Sequence, residues 1–223
     1  MSWLSKTLSS SIGKKFIMAG TGLFLILFLV VHLLGNFQLL KNDGGESFNR
    51  YAYMMTHNPL INIISYGLYA FILIHTIYAI ALTIQNRKAR PVNYSKFNNQ
   101  SSWASRSMML LGSLIFFFIL IHMKDFWYVY KFTELPYKTY DGEIYKDLYS
   151  VVSAEFDELY HVIIYVCAQI VLAFHLSHGF QSAFQTLGLN HPKYTPLIKG
   201  LGNLYAILIP LGFAIIPILM YLN

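Results

Sequence analysis

The stretch GLFLILFLVVHLLGN, residues 22–36, decides the fold because it places His32 inside a long apolar run. The full run extends near 16–40, and roughly 20 apolar residues at about 1.5 Å each cross the hydrocarbon core of a bilayer. Lys14 and Lys15 precede it, as in a secretory signal, but the run is too long for one and has no small-x-small cleavage site. We therefore interpret it as a retained membrane helix.

Four further runs have the same character. The chain of 223 residues is 56% hydrophobic, 17% aromatic and only 12% charged, which is typical of a membrane protein. These observations predict an all-α, polytopic membrane protein that forms a single domain over residues 1–223. Its five transmembrane helices are expected near 16–40, 60–86, 106–130, 158–185 and 199–222.

Three prolines and the only cysteine predict further local features of the chain. Pro91 should break any helix that continues from the second run, and Pro210 and Pro217 should bend the fifth. The fifth run has no ionisable residue after Lys199, so we assign it a packing role at the periphery of a four-helix core. Cys167 alone can form neither an intramolecular disulfide nor a thiolate cluster, and we expect a buried, inert thiol.

The charges predict an orientation. With five spans, the N-terminus and the 87–105 and 186–198 loops share one side, which holds ten of the 16 basic residues and no acid. Those ten are Lys6, Lys14, Lys15, Arg87, Lys88, Arg90, Lys96, Arg106, Lys193 and Lys199. Because Lys and Arg are retained in the cytoplasm, the N-terminus is expected inside and the acids outside. The net charge of +6 then favours lipid headgroups or a docked soluble partner, and not nucleic acid.

Histidines inside the spans are the candidates for function, because ionisable groups are costly there. The segment FHLSHGF, residues 174–180, contains two of them, and the five are His32, His75, His122, His175 and His178. Counted from the cytoplasmic helix ends, two lie at a depth of roughly 24 Å and two at roughly 15–17 Å. The deeper tier, farther from the cytoplasm, consists of His32 and His122. The shallower tier consists of His75 and His175.

Matched depths on alternate helices favour two haem sites. A lone histidine in a membrane helix is more often a polar contact between helices. One histidine on each of four helices, paired by depth, instead fits two b-type haems with an imidazole on each face of the iron. We interpret His161 and His57 as interfacial and His191 as a loop residue.

The spacing within FHLSHGF favours His175 over His178 as the haem ligand. His175 and His178 point about 60° apart on a helix, so only one can face an iron held by the opposite histidine. Gly179 is four residues after His175, on the same face, where the missing side chain leaves room for a porphyrin. We take His175 as the ligand and place His178 near a haem edge, a propionate or a quinone.

The sequence resembles the cytochrome b membrane-anchor subunits of succinate:quinone oxidoreductases, the family of succinate dehydrogenase and fumarate reductase, in their five-helix, di-haem form. The resemblance covers nearly the whole chain and includes LYAFILIHTIYAIALTIQNRKAR, ASRSMMLLGSLIFFFILIHMKDF and FHLSHGFQSAFQTLG as well as the stretch quoted first. It implies that His75 and His175 ligate the haem nearer the cytoplasm. His32 and His122 would ligate the outer haem.

The resemblance also implies partners. A flavoprotein with FAD, which would carry the dicarboxylate chemistry, and an iron–sulfur subunit would dock on the cytoplasmic face of a bacterial cytoplasmic membrane. Electrons would pass through both haems to a quinone, usually menaquinone, bound toward the outer face. This chain would be the electron-transfer and quinone-binding subunit of the enzyme.

Two polar groups of residues have candidate roles around such haems. Arg87, Ser105 and Arg106 lie at cytoplasmic helix ends and could bind propionates of the inner haem, or the arginines could serve only as topology anchors. Near the outer surface, Glu155, Asp157, Glu158 and His161 could supply protons to a quinone. Alternatively, the acids only complement a helix dipole.

Two other functions fit parts of this pattern. One is the cytochrome b subunit of a hydrogenase or formate dehydrogenase, which HLSHGFQSAFQTLG disfavours. The other is a transporter or proton channel whose histidines bind Zn²⁺ or relay protons. Such proteins normally also place acids within spans, whereas we expect no Asp or Glu deep in any span here.

Overall fold

The computed structural model describes residues 9–89 and 103–223, and it is mostly helical, at 83%. Five of its helical segments are long and apolar enough to cross a membrane, which confirms the predicted number of spans. These are span 1 (Ser11–Leu40), span 2 (Pro59–Lys88), span 3 (Met108–Phe132), span 4 (Leu159–Thr186) and span 5 (Thr195–Leu222). Pro91 and the basic residues Lys6, Arg90 and Lys96 lie outside the described residues.

The elements follow one another with short connections. In chain order they are α1 (Ser11–Asn36), a 3₁₀ turn (Phe37–Leu40), α2 (Glu46–His57), α3 (Pro59–Lys88), α4 (Trp103–Arg106), α5 (Met108–His122), a π-helical turn (Met123–Tyr128), α6 (Val129–Phe132), β1 (Tyr137–Tyr140), β2 (Glu143–Lys146), α7 (Leu148–Phe156), α8 (Leu159–Thr186) and α9 (Thr195–Leu222). Local signals set several starts. Ser10 Oγ accepts a hydrogen bond from the Gly13 N–H at the start of α1, and Asn58 caps α3 ahead of Pro59.

The connections between spans 1 and 2 and between spans 3 and 4 meet on one side of the bundle and form a small cap. We define the cap as α2, the β1–β2 hairpin and α7, and we call the opposite side of the bundle the N-terminal side. The hairpin pairs Tyr137 with Lys146 and Tyr140 with Glu143. Its turn, Asp141–Gly142, has positive φ at both residues, as a two-residue hairpin turn requires. The prediction of an all-α chain was therefore wrong over this segment.

Asn49 joins the parts of the cap. Its side chain, 1% exposed, donates hydrogen bonds to Asp147 Oδ1 at 2.9 Å and to the Tyr140 hydroxyl at 3.1 Å. Its Oδ1 accepts from the Tyr149 N–H at 2.9 Å. Burial alone would raise the pKa of Asp147, but the hydrogen bonds from Asn49 and Lys138 outweigh burial and hold that pKa below its ordinary value. Asp147 is thus ionised, and it contacts side chains or backbone of α2, β1 and α7.

Span 3 carries a buried acid. Asp125 lies in the π-helical turn, in the last third of span 3 nearest the cap, and is 2% exposed. Two contacts compensate for its burial: Lys124 Nζ lies 3.1 Å from Oδ1, and the Tyr165 hydroxyl donates to Oδ2 at 3.3 Å. A π-helical turn is rare and often marks a functional site, because it changes which side chains face inward.

Span 5 packs closely on spans 1 and 4. A Cβ at Gly202 would lie 2.7 Å from the Phe180 ring, and one at Gly212 would lie 2.8 Å from Leu33, so a larger residue at either position would force the neighbouring side chain to shift. The Tyr205 hydroxyl donates a hydrogen bond to the Ile26 carbonyl of span 1. Small residues that allow close approach are typical of helix contacts in membranes.

Large apolar side chains cover the outside of the bundle, as lipid contact requires. Leu27, Ile63 and Phe117 are more than 60% exposed. Cys167 belongs to this exposed surface of span 4, so the expectation of a buried thiol was wrong. Its sulfur, which is apolar enough for lipid, points away from the helix contacts.

We predict that Asn49→Ala destabilises the cap. The substitution leaves the Asp147 carboxylate and the Tyr149 amide each short of a buried partner, at a cost of about 1–3 kcal/mol. The measurement is the thermal unfolding midpoint of the detergent-solubilised protein. Asn203→Ala is the control, because it removes one exposed side-chain hydrogen bond, to Gln181. Equal midpoints for the two variants would contradict the role of Asn49.

Candidate functional site

A cavity of about 2400 Å³ extends through the bundle between the spans. Pockets for a single drug-sized ligand measure about 300–1,000 Å³, so this cavity is large enough for more than two such ligands. Its walls include Lys15 near the N-terminal side and Lys131 near the cap. All five span histidines line it: His32, His75, His122, His175 and His178.

The histidines meet in the pairs expected from their depths. The rings of His32 (span 1) and His122 (span 3) have centroids 5.7 Å apart, and we call them the cap-side pair. The rings of His75 (span 2) and His175 (span 4) have centroids 6.4 Å apart, and we call them the N-side pair. Each pair therefore joins two spans that lie on opposite walls of one cavity.

These separations fit two imidazoles on opposite faces of one metal ion. A bond of about 2.0–2.1 Å from the metal to each ring nitrogen, plus about 1.2 Å from nitrogen to ring centre, places the centroids about 6.4 Å apart. The N-side pair has this spacing and the cap-side pair is 0.7 Å shorter. A bis-histidine site would need only a small separation of the cap-side rings.

Aromatic rings enclose the cap-side pair. Phe28 and Phe213 lie 5.2 and 5.5 Å from the His32 ring, centroid to centroid. Phe126 lies 5.4 Å from the His122 ring. Span 5, which supplies Phe213, therefore contributes to this site and is more than a peripheral packing helix. An apolar shell of this kind limits water access and controls the dielectric around a metal.

The second ring nitrogens of the histidines are partnered unequally. His75 Nδ1 lies 3.1 Å from the Thr21 hydroxyl, and the Asn36 amide nitrogen lies 3.3 Å from His32 Nδ1. His122 Nδ1 and His175 Nδ1 are buried, and among the described residues neither has a hydrogen-bond partner. Buried polar atoms without partners are rare in folded proteins and require an explanation. A metal ion bound by Nδ1 itself would be such a partner, whereas a metal on the other ring nitrogen would leave Nδ1 unpartnered.

Glycines leave room beside the N-side pair. A Cβ at Gly22 would meet the His75 ring at 3.4 Å, and one at Gly112 would meet the His175 ring at 3.7 Å. Around Gly179 a Cβ would meet nothing within 4 Å, so the space inferred there from the sequence is open. The His175 ring faces His75, whereas His178 lines the cavity nearly one turn further along span 4.

The candidate propionate residues share the N-terminal end of the cavity. Arg87 from span 2 and Ser105 and Arg106 from α4 all line it, although they are far apart in sequence. Two guanidinium groups and a hydroxyl at one end of an apolar cavity suit carboxylate groups of a bound molecule. The sequence predicted this set from its position at helix ends alone.

The candidate proton-carrying residues are brought together only in part. His161 Nδ1 lies 2.7 Å from Glu155 Oε2, whereas Asp157 and Glu158 are exposed, and Glu158 only precedes the first turn of α8. Asp125 completes the cluster: ligand atoms of Asp125, Glu155 and His161 lie within 4.8 Å of one another. Sequence analysis did not include Asp125 in this cluster. The available signal was its position, a carboxylate in an apolar run three residues after His122.

Tyr165 connects this cluster to the cavity. Its ring lines the cavity 6.0 Å from the His122 ring, and its hydroxyl donates to Asp125. Asp125, Glu155 and His161 themselves are not among the described residues that line the cavity. The cluster therefore lies behind Tyr165, between the cavity and the cap. Sequence reasoning missed Tyr165, one of many tyrosines, because nothing in its neighbourhood distinguishes it.

No family model, curated protein or solved structure matches this chain. The class of site therefore follows from the geometry alone: a membrane-spanning helical bundle with two pairs of facing histidines in one large apolar cavity.

Proposed function

We propose that the chain is the di-haem cytochrome b membrane-anchor subunit of a succinate:quinone oxidoreductase. The observation that carries the proposal is the meeting of four histidines from four spans in two facing pairs, with ring centroids 5.7 and 6.4 Å apart. His32 and His122 would hold one haem b, and His75 and His175 the other. Bound haem would supply one-electron redox chemistry.

The chain's own residues would orient, enclose and anchor the two haems. The four imidazoles would hold the two haems as ligands, and the aromatic shell would limit water access to the cap-side pair. Arg87, Ser105 and Arg106 would bind propionates at the N-terminal end of the cavity. In this arrangement electrons enter at the N-terminal side from an iron–sulfur subunit and leave toward the cap.

We further propose that the N-terminal side is cytoplasmic and the cap is outside, in a bacterial cytoplasmic membrane. Lys14, Lys15, Lys193 and Lys199 flank the spans on the N-terminal side, whereas acids predominate at the cap. A basic, acid-poor face suits the docking of soluble iron–sulfur and FAD-containing subunits.

A quinone, for which menaquinone is the expected type, would bind near the cap-side pair and take up protons there. The cluster of Asp125, Glu155 and His161 supports this proposal, because imidazole and carboxylate groups can donate and accept protons and Tyr165 links the cluster to the cavity. Asp157 and Glu158 are too exposed to belong to it, and we assign them to the helix start only.

One observation favours a second candidate, a proton channel. Asp125 is a buried acid within a span, a feature typical of proton-conducting proteins. A channel, however, gives no reason for two facing histidine pairs beside glycines in a cavity of this size. A cytochrome b subunit of a hydrogenase or formate dehydrogenase shares the pairs. Co-purification with a flavoprotein that contains FAD distinguishes the proposed function from that alternative.

We predict that replacing either histidine of a pair removes the haem which that pair would hold. The wild-type protein should contain two haems b, and His32→Ala, His75→Ala, His122→Ala and His175→Ala should each lose at least one, because each removes an axial ligand. His178→Ala and the loop variant His191→Ala should retain both. The measurements are haem quantitation and reduced-minus-oxidised spectra. A colourless wild-type protein, or haem loss with His178→Ala and not with His175→Ala, would contradict these assignments.

We predict that a side chain at Gly22 displaces the N-side haem. Gly22→Leu would push against the His75 ring, since even a Cβ lies in contact with it. Gly20→Leu is the matched control, because its Cβ meets nothing within 4 Å and the residue lies on the same helix. Haem content should fall from two toward one in the first variant only. Equal haem content in both variants would contradict the proposed position of the haem beside Gly22.

We predict that the cap is labelled from outside the cell. In a Cys167→Ser background, Asp141→Cys at the exposed hairpin turn should react with a membrane-impermeant maleimide in intact cells. Lys193→Cys, between spans 4 and 5, should react only after the cells are lysed. The reverse pattern would invert the proposed orientation without affecting the haem assignment.

A further inference from the structure

The Thr21 side chain contacts one of the four paired histidines. Thr21 lies in span 1 and is 5% exposed. Its Oγ1 lies 2.8 Å from the Ile17 carbonyl oxygen, 3.2 Å from the Met18 carbonyl oxygen and 3.1 Å from His75 Nδ1. One hydroxyl thus lies among three hydrogen-bonding atoms in an apolar environment.

The hydrogens can be assigned at this site by counting. A threonine hydroxyl has one hydrogen, and a carbonyl oxygen can only accept. We assign the hydroxyl hydrogen to the shortest contact, to the Ile17 carbonyl. The contact with His75 then needs a hydrogen on Nδ1, donated to an Oγ1 lone pair. Since a neutral imidazole has one N–H, Nε2 of His75 carries the free lone pair that a metal requires.

The other paired histidines have no equivalent partner. Among the described residues, His122 Nδ1 and His175 Nδ1 have none, and the Asn36 amide nitrogen near the His32 ring is a donor that also bonds the His32 carbonyl at 2.7 Å. The two pairs therefore differ: one histidine of the N-side pair donates its N–H to a fixed oxygen. Such a bond sets the orientation of a ligand imidazole and increases its basicity.

We propose that Thr21 is a positioning residue for the N-side haem: it holds His75 as the Nδ1–H tautomer, directs Nε2 into the cavity, and lowers the reduction potential of that haem selectively. The proposal rests on the proposed haem function. The potential falls because hydrogen-bond donation by His75 places more electron density on Nε2, which stabilises the ferric state.

The test is a redox titration of both haems in the purified complex, followed optically and by electron paramagnetic resonance. Thr21→Val keeps the shape of the side chain and removes the acceptor. It should shift the reduced-to-oxidised equilibrium of one haem about threefold to tenfold toward reduction, which corresponds to about 30–60 mV for a one-electron couple. Thr21→Ser should keep the wild-type potential. Thr76→Val is the control, because its hydroxyl donates to the Ile72 carbonyl and is in hydrogen-bond contact with no histidine.

Each outcome decides the proposal. A selective shift in Thr21→Val with rescue by Thr21→Ser supports it, as does loss of one haem in the valine variant that the serine variant restores. Unchanged potentials with two haems bound, or equal shifts of both haems, would overturn it while leaving the haem function intact. Loss of haem in both Thr21 variants would show a packing role and also overturn it. A wild-type complex without haem would overturn the proposed function, and this inference with it.

Discussion

The cost of placing imidazole in a hydrocarbon interior is the constraint on which the rest of the structure depends. A ring nitrogen that loses water must find another partner, and the surrounding leucine, isoleucine and phenylalanine side chains offer none. The bundle brings histidines from different spans together at two levels and places Thr21 and Asn36 beside His75 and His32. His122 Nδ1 and His175 Nδ1 have no partner among the described residues. Because a pair needs one histidine on each of two opposite helices, the requirement also fixes which spans face each other and at what vertical offset.

Several other features depend on this pairing. A cavity of about 2400 Å³ between helices leaves fewer contacts for holding the helices together, so contacts elsewhere must compensate. Span 5 provides some of them through the close approaches at Gly202 and Gly212, while its Phe213 contacts the His32 ring. The cap joins the span connections at one end through Asn49 and Asp147. Rigidity at the cap and along span 5 is thus the counterpart of open space at the centre.

The sequence predicted some of these structural features and not others, for physical reasons. Length and hydropathy were sufficient for the five spans, and a rise of 1.5 Å per residue was sufficient to pair His32 with His122 and His75 with His175. Neither quantity contains the direction in which a side chain points around its helix, which depends on packing partners. For this reason the contact between Thr21 and His75 and the exposure of Cys167 were not predicted. The hairpin was missed because its strands are short and mostly polar, although YDGE, residues 140–143, contains an Asp-Gly turn signal.

The π-helical turn after His122 relates the cap-side pair to the acid cluster. In an uninterrupted α-helix, residues three apart lie on one face, so Asp125 would lie close below the same cavity wall as His122. The turn begins at Met123 and alters the helix phase, and Asp125 contacts Tyr165 instead of the cavity. A carboxylate directly in the cavity would be costly to bury and would bias the electrostatics of both rings. With Asp125 behind Tyr165, the cavity wall presents an aromatic ring to His122 while a titratable cluster lies one side chain away. That arrangement separates the ionisable side chains of the cluster from the apolar cavity, and one irregular turn achieves it.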